Sequence, residues 1–135
     1  MYPPKPLAAT DYLVVESTYG DRRHEEIDAE AAIADIINRT AKRGGIVLMP
    51  AFAVGRAQLV LHILQKLLAE KRIPTMPIYL NSPMAIRATE IFFDLHESHK
   101  LTKEDCERMD AITHYVKTVE ESIELNSRKF PSVII

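Results

Sequence analysis

The chain has 135 residues, enough for one domain with a hydrophobic core and too few for two domains of ordinary size. Hydrophobic residues make up 47% and charged residues 27% of the sequence, a balance that excludes an intrinsically disordered protein. The 17 basic and 19 acidic side chains give a net charge of −2, which excludes a uniformly basic surface. Contact with a nucleic acid therefore has to come from a local cluster or from another domain.

Cysteine content and hydrophobic runs exclude further classes of protein. Cys106 is the single cysteine, so we expect neither a disulfide framework nor a cysteine-based zinc site. No apolar run reaches membrane-spanning length, and the N-terminus lacks the apolar core of a signal peptide. We expect a cytoplasmic location without membrane attachment.

An extended lead-in and then a strand are predicted at the start of the chain. The stretch from Met1 to Ala9 contains three prolines and is typical of a linker, which we place at residues 1–10, with one domain at residues 11–135. Leu13–Val15 is a short apolar run typical of a strand that is buried on both faces. It would deliver Glu16 to the carboxyl end of the strand, where open α/β sheets place their chemistry. From spacing alone, an ordinary strand-to-helix loop with a solvated carboxylate is the simpler explanation of the pattern.

Alternation of helical and strand patterns along the rest of the chain predicts the fold class. The expected elements are a helix from about 25 to 43, a strand at Ile46–Met49, a helix to about Glu70 with an apolar stripe at helical spacing, a strand at Pro77–Leu80, a helix at Met84–Leu95, a helix capped by Thr102 and a strand at Ser132–Ile135. Together they predict one α/β domain with about four mostly parallel strands flanked by helices.

Two loops that follow strands contain candidate substrate-binding residues. Gly55 permits close approach of the backbone, and the helix that begins there presents N–H groups that suit an anion. Arg56 adds a planar, permanently charged group fit for a phosphate. Alternatively, Gly55 is an ordinary turn glycine and Arg56 is a solvated residue in the first turn of the helix. Ser82 can likewise contact a substrate or only cap the next helix.

Three strings resemble motifs of the β-CASP family, the metallo-β-lactamase-fold nucleases that process RNA ends. They are Glu-Ser-Thr-Tyr-Gly-Asp-Arg-x-His at residues 16–24, Phe-Ala-Val-Gly-Arg-Ala-Gln at residues 52–58 and Tyr-Leu-Asn-Ser-Pro-Met-Ala at residues 79–85. The segment His114–Asn126 resembles a family segment with a short extended piece and a short helix. The first string is a specific match, since only one of its nine positions is free. The resemblance implies a Rossmann-like β-CASP domain that is truncated at both ends.

The resemblance also implies a function for the protein of which this domain is a part. That protein would be a zinc-dependent ribonuclease that hydrolyses RNA phosphodiesters, as an exonuclease or an endonuclease. Glu16 would be the catalytic candidate, orienting a histidine supplied later in the longer chain. The residues expected to contact RNA are Ser17, Thr18, Tyr19, Gly55, Arg56 and Ser82. The family's zinc-ligand run His-x-His-x-Asp-His is not in this sequence, so we expect no zinc and no cleavage from the 135 residues alone.

The partners implied by the resemblance are RNA and the metallo-β-lactamase domain of the same longer chain, with oligomer formation left open. Two other classes stay open as well. The protein can be a catalytically inactive scaffold homologue in RNA processing. The presence or absence of the zinc-ligand run in the longer chain would decide between this class and an active nuclease. It can also be a stand-alone flavodoxin-like nucleotide-binding or regulatory domain, although no phosphate loop or dinucleotide fingerprint is present in the sequence.

Overall fold

The computed structural model describes residues 5–23 and 25–135. Its five α-helices are α1 (Ala29–Lys42), α2 (Arg56–Ala69), α3 (Pro83–Asp94), α4 (Lys103–Ala111) and α5 (Val119–Ser127), with a short 3-10 turn at His96–Ser98. Its four strands are β1 (Ile46–Leu48), β2 (Ile78–Leu80), β3 (Thr113–Tyr115) and β4 (Ser132–Ile134). Residues 1–4 of the predicted linker and His24 of the first motif lie outside the described residues.

The four strands form one parallel sheet in the order β1-β4-β2-β3. One row of paired residues crosses the whole sheet on one face and consists of Val47, Val133, Ile78 and Thr113. All four residues are at most 9% exposed, because this face carries the core. The prediction of an α/β domain with about four mostly parallel strands is therefore confirmed.

Helix α2 lies at the centre of the layer that covers this face, and it contacts α1, α3 and α4. Leu61, Leu64 and Leu67 recur at helical spacing along α2 and are fully buried against the sheet and the neighbouring helices. Each such side chain contributes about 1.5–3 kcal/mol to stability when it leaves water. Burial of this stripe holds the start of α2 in place relative to the strands.

The ends of the helices follow their capping residues. Thr102 caps α4 as predicted: its hydroxyl accepts the Asp105 N–H at 3.1 Å, and the Asp105 carboxylate accepts the Thr102 N–H at 3.0 Å. Helix α1 begins at Ala29 instead of about residue 25, because the Asp28 side chain accepts the N–H of Ala31 at 3.0 Å and caps the helix there.

The strand predicted at Leu13–Val15 is wrong. The described residues before α1 contain no strand, and Val14 is 98% exposed. A strand needs a neighbour that pairs with its backbone groups, and none of the four described strands pairs with this segment. The sheet contains β3 (Thr113–Tyr115) in place of the predicted strand at Leu13–Val15. This strand lies at the start of the segment in which the resemblance implied a short extended piece.

Candidate functional site

The carboxyl ends of the strands gather at one edge of the sheet because all four strands are parallel. Residues 49–55 follow β1, residues 81–82 follow β2 and residues 116–118 follow β3. Backbone hydrogen bonds join these loops to the sheet, such as Met49 N–H to Ile134 carbonyl at 2.8 Å and Asn81 N–H to Ile135 carbonyl at 2.9 Å. The loops that carry Gly55 and Ser82 are therefore anchored on either side of β4.

Gly55 is the residue on which the turn before α2 depends. It caps the helix with φ of 80° and ψ of −51°, a conformation that a side chain makes costly. Its own N–H donates to Gln58 Oε1 at 2.7 Å. The N–H of Ala57 donates to the Phe52 carbonyl at 3.1 Å, so this group of the first turn is not free to bind an anion. The side chain of the next residue offers a further donor group for an anion at this helix start.

That next residue, Arg56, is exposed. Within residues 5–23 and 25–135, no hydrogen bond or ion pair engages its guanidinium group. It lines an open depression of about 450 Å³ together with Pro50, Ala51 and Phe52. The first turn of α2, Arg-Ala-Gln-Leu, contains no acidic residue, so the positive end of the helix dipole and the guanidinium act together. An anionic ligand at this edge would therefore meet one guanidinium group and the positive end of a helix dipole.

Ser82 lies at the start of the neighbouring helix α3. Its Oγ accepts the Ala85 N–H at 3.2 Å, and Pro83 occupies the first helical position. The serine therefore caps the helix, one of the two roles considered from the sequence. Its hydroxyl proton can still be donated to a ligand at this edge. Contact with a substrate stays a prediction for this residue.

A buried pair of polar side chains, which sequence reasoning missed, connects the turn before α2 to helix α3, whose cap is Ser82. Gln58 is 3% exposed and Thr89 is 0% exposed. Gln58 Nε2 donates to Thr89 Oγ1 at 2.8 Å and to the Ala53 carbonyl at 3.0 Å. Gln58, three residues after the glycine, supplies the glutamine half of a capping box, a pattern readable from the sequence. Thr89 gives no such signal, since its partner lies 31 residues away.

Residues 16–21 of the first motif form an exposed turn. Glu16, Ser17, Thr18 and Tyr19 are all exposed, and the N–H of Gly20 donates to the Ser17 carbonyl at 3.0 Å. Glu16 Oε1 accepts the Thr18 N–H at 2.7 Å. Hydrogen bonds from the side chain and then the backbone of Thr18 lower the pKa of the Glu16 carboxyl below its ordinary value. The structure does not assemble these four residues with Arg56 and Ser82 into one enclosed site.

The described part of the chain offers neither a cluster of metal-binding side chains nor a membrane-spanning helix. Residues 5–23 and 25–135 contain no group of three or more His, Cys, Asp or Glu side chains that could hold a metal ion. The ring of His99 packs on Phe92 with centroids 3.9 Å apart, and its Nε2 lies 2.9 Å from the Phe92 carbonyl oxygen, which makes it a packing residue. In the described part of the chain, no helix combines the length and the hydropathy that crossing a membrane requires.

The edge that carries Arg56 also exposes apolar surface. Five large apolar side chains in or just after its loops are at least 65% exposed: Phe52, Val54, Met84, Val119 and Ile123. Single exposed apolar residues are ordinary on a protein surface, but a concentration of them at one edge is typical of an interaction surface.

Comparison with known proteins identifies relatives of this chain. A family model described as the Beta-Casp domain matches residues 57–135. Ribonuclease TTHA0252 of Thermus thermophilus is 42% identical over 88 residues, which cover 64% of this chain and 20% of that protein. Endoribonuclease ysh1 of Schizosaccharomyces pombe is 36% identical over 141 residues, covering 98% of this chain and 18% of that protein. Transcription termination factor FttA of Thermococcus kodakarensis is 44% identical over 82 residues, covering 58% of this chain and 12% of that protein. The chain thus spans about a fifth or less of the length of these relatives.

Proposed function

The chain belongs to the Beta-Casp domain family, and from this premise we propose that it is the RNA-binding, cleft-closing domain of a zinc-dependent ribonuclease of metallo-β-lactamase fold. Two of the relatives are named as ribonucleases, which supports a hydrolase that cleaves RNA. Under this proposal residues 11–135 form the β-CASP domain, and residues 1–10 link it to the metallo-β-lactamase part of a longer polypeptide.

The observation that carries the proposal is the guanidinium of Arg56 at the carboxyl edge of the sheet, which pairs with none of the residues that the structure describes. It lies at the positive end of α2 and beside Phe52, whose side chain is 85% exposed. An arginine at such a position binds a phosphate of the RNA backbone, and an exposed aromatic ring stacks on a base without reading its identity. The pair therefore suits a single-stranded RNA that passes over this edge.

The exposed apolar residues of the same edge support the proposed domain partner. A metallo-β-lactamase domain that packs beside Val119 and Ile123 would bury apolar surface that is now in water, a favourable change of about 25 cal/mol per Å². RNA held at Arg56 would then run in the cleft between the two domains. Closure over the cleft is the role that we assign to this domain in the whole enzyme.

Zinc does not fit the residues described here, because no suitable group of ligands occurs among residues 5–23 and 25–135. We assign the zinc ligands to the metallo-β-lactamase part and derive no chemical step from this domain. Glu16, exposed and ionised in its turn, is available to orient a histidine from another segment, as the resemblance implies. Ser17, Thr18 and Tyr19 accompany it as proposed RNA contacts.

Substitution of Arg56 by alanine tests the proposal directly. Binding of a short oligouridylate to the 135-residue chain should weaken, and the slope of log affinity against log salt should become shallower by about 0.7, as for one lost phosphate contact on a single strand. Arg39→Ala is the matched control, since Arg39 is also exposed but pairs with Asp35 on α1. The measurement is fluorescence anisotropy over a range of salt concentrations. A slope unchanged by Arg56→Ala, with the fold intact, would contradict the proposed contact.

A further inference from the structure

Gln58 and Thr89 are buried polar side chains that do not reach the proposed RNA. Gln58 lies in the first turn of α2 and Thr89 in the middle of α3. A buried amide or hydroxyl group destabilises a core unless its hydrogen bonds are satisfied, so the partners of the two side chains indicate what they hold in place.

The side chain of Gln58 closes the turn that presents Arg56. Its Oε1 accepts the Gly55 N–H at 2.7 Å, and its Nε2 donates to the Ala53 carbonyl at 3.0 Å. These partners determine the orientation of the amide, because an N–H group only donates and a carbonyl oxygen only accepts. Gln58 thus ties the loop on both sides of Val54 to the helix that follows it.

Thr89 connects this turn to helix α3, whose cap is Ser82. Its Oγ1 accepts from Gln58 Nε2 at 2.8 Å and donates to the Ala85 carbonyl at 2.7 Å. Ala85 in turn donates its N–H to Ser82 Oγ at 3.2 Å. A continuous path of hydrogen bonds and helix backbone therefore leads from Gly55 to Ser82.

We infer that Gln58 and Thr89 are positioning residues that hold the Arg56 turn and the Ser82 loop in one fixed geometry for an RNA backbone. This inference rests on the proposed function, because it explains how the phosphate contact of Arg56 is oriented. The two side chains act through the backbone, since both are buried beneath the surface that faces the ligand. A fixed backbone under a long side chain reduces the conformational entropy that binding removes.

Gln58→Met tests the inference in the 135-residue chain, because methionine keeps the length of the side chain and removes its hydrogen bonds. Gln65→Met is the matched control, with the same exchange two turns further along α2 at a residue that is also buried. Affinity for a short oligouridylate should fall about threefold to tenfold in Gln58→Met and stay unchanged in Gln65→Met. Equal affinities of the two variants would overturn the inference.

A second pair of variants keeps the test usable if Gln58→Met does not fold. Thr89→Val keeps the shape of the side chain and removes the hydroxyl, whereas Thr89→Ser keeps the hydroxyl. We expect Thr89→Val to weaken binding and Thr89→Ser to retain it. Equal binding by the valine and serine variants would contradict a role for the hydrogen bond.

Arg56→Ala in each background separates this inference from the proposed function. The exchange should weaken binding in the original chain and have little further effect in Gln58→Met, because the oriented contact is already lost there. If Arg56→Ala weakened binding equally in the original chain and in Gln58→Met, the positioning role would be refuted and the phosphate contact would be retained. No effect in the original chain would instead refute the phosphate contact.

The rate of hydrogen exchange at the Gly55 amide tests the positioning role of Gln58 in the absence of RNA. Its N–H is bound to Gln58 Oε1, so Gln58→Met should accelerate its exchange by about tenfold or more, and Gln65→Met should not. Unchanged protection of Gly55 in Gln58→Met would overturn the inference whatever the binding data show.

Discussion

Replacement of Gly55 by alanine tests the turn on which the candidate phosphate site depends. Gly55 has φ of 80° and ψ of −51°, a region that an L-residue with a Cβ rarely occupies. Forcing alanine into it costs about 1–3 kcal/mol, and the lower entropy of alanine in the unfolded chain returns about 0.4–1 kcal/mol. Taking the middle of each range, we expect Gly55→Ala to lower the free energy of unfolding by about 1–2 kcal/mol.

The expected loss is large enough to measure by thermal unfolding. For a domain of this size it corresponds to a fall in Tm of about 3–10 °C, which far-ultraviolet circular dichroism detects. Oligouridylate binding should weaken at the same time, because relief of the strain moves the backbone of Arg56. Gly44→Ala is the matched control: Gly44 has φ of 74°, open space around an added Cβ, and a position before β1 at the opposite edge of the sheet.

The two alanine variants give a clear decision. Gly44→Ala should lower Tm and leave RNA binding unchanged, whereas Gly55→Ala should lower both. An unchanged or raised Tm in Gly55→Ala would refute the strained turn. Equal losses of RNA binding in the two variants would show that binding follows general stability and not the geometry at the start of α2.

Two further predictions concern carboxylates. Glu16→Gln should leave the denaturant midpoint of the chain unchanged, because the carboxylate is exposed and its hydrogen bond comes from its near neighbour Thr18; a clear loss in chemical denaturation would mark it as a structural anchor. Hydrogen bonds from the backbone N–H and then the hydroxyl of Thr102 lower the pKa of the Asp105 carboxyl in the folded chain. The ionised carboxylate therefore stabilises the fold above the unfolded-state pKa of about 4. This stabilisation is lost as pH falls through the lower pKa of the folded state. Asp105→Asn should therefore destabilise the chain at neutral pH and flatten the fall in stability on acidification, and parallel pH profiles for the two proteins would contradict this.

Hydrophobic periodicity and capping residues were sufficient to locate most elements from the sequence. The helical stripe of α2 and the cap at Thr102 predicted helices that the structure contains. These signals succeed because they act over one or two turns of helix, within the reach of neighbouring residues. The candidate residues Gly55 and Arg56 were found for the same reason: a glycine cap followed by an arginine is a local pattern.

Only the tertiary structure decided which apolar runs pair as strands and which polar groups meet. Leu13–Val15 carries a strong strand pattern and forms no strand, whereas Thr113–Tyr115 forms one beside β2. The order β1-β4-β2-β3 and the bond between Gln58 and Thr89 join residues that are far apart in the chain. Strand pairing and buried hydrogen bonds depend on partners that packing brings together, and a local pattern holds no information about where those partners lie.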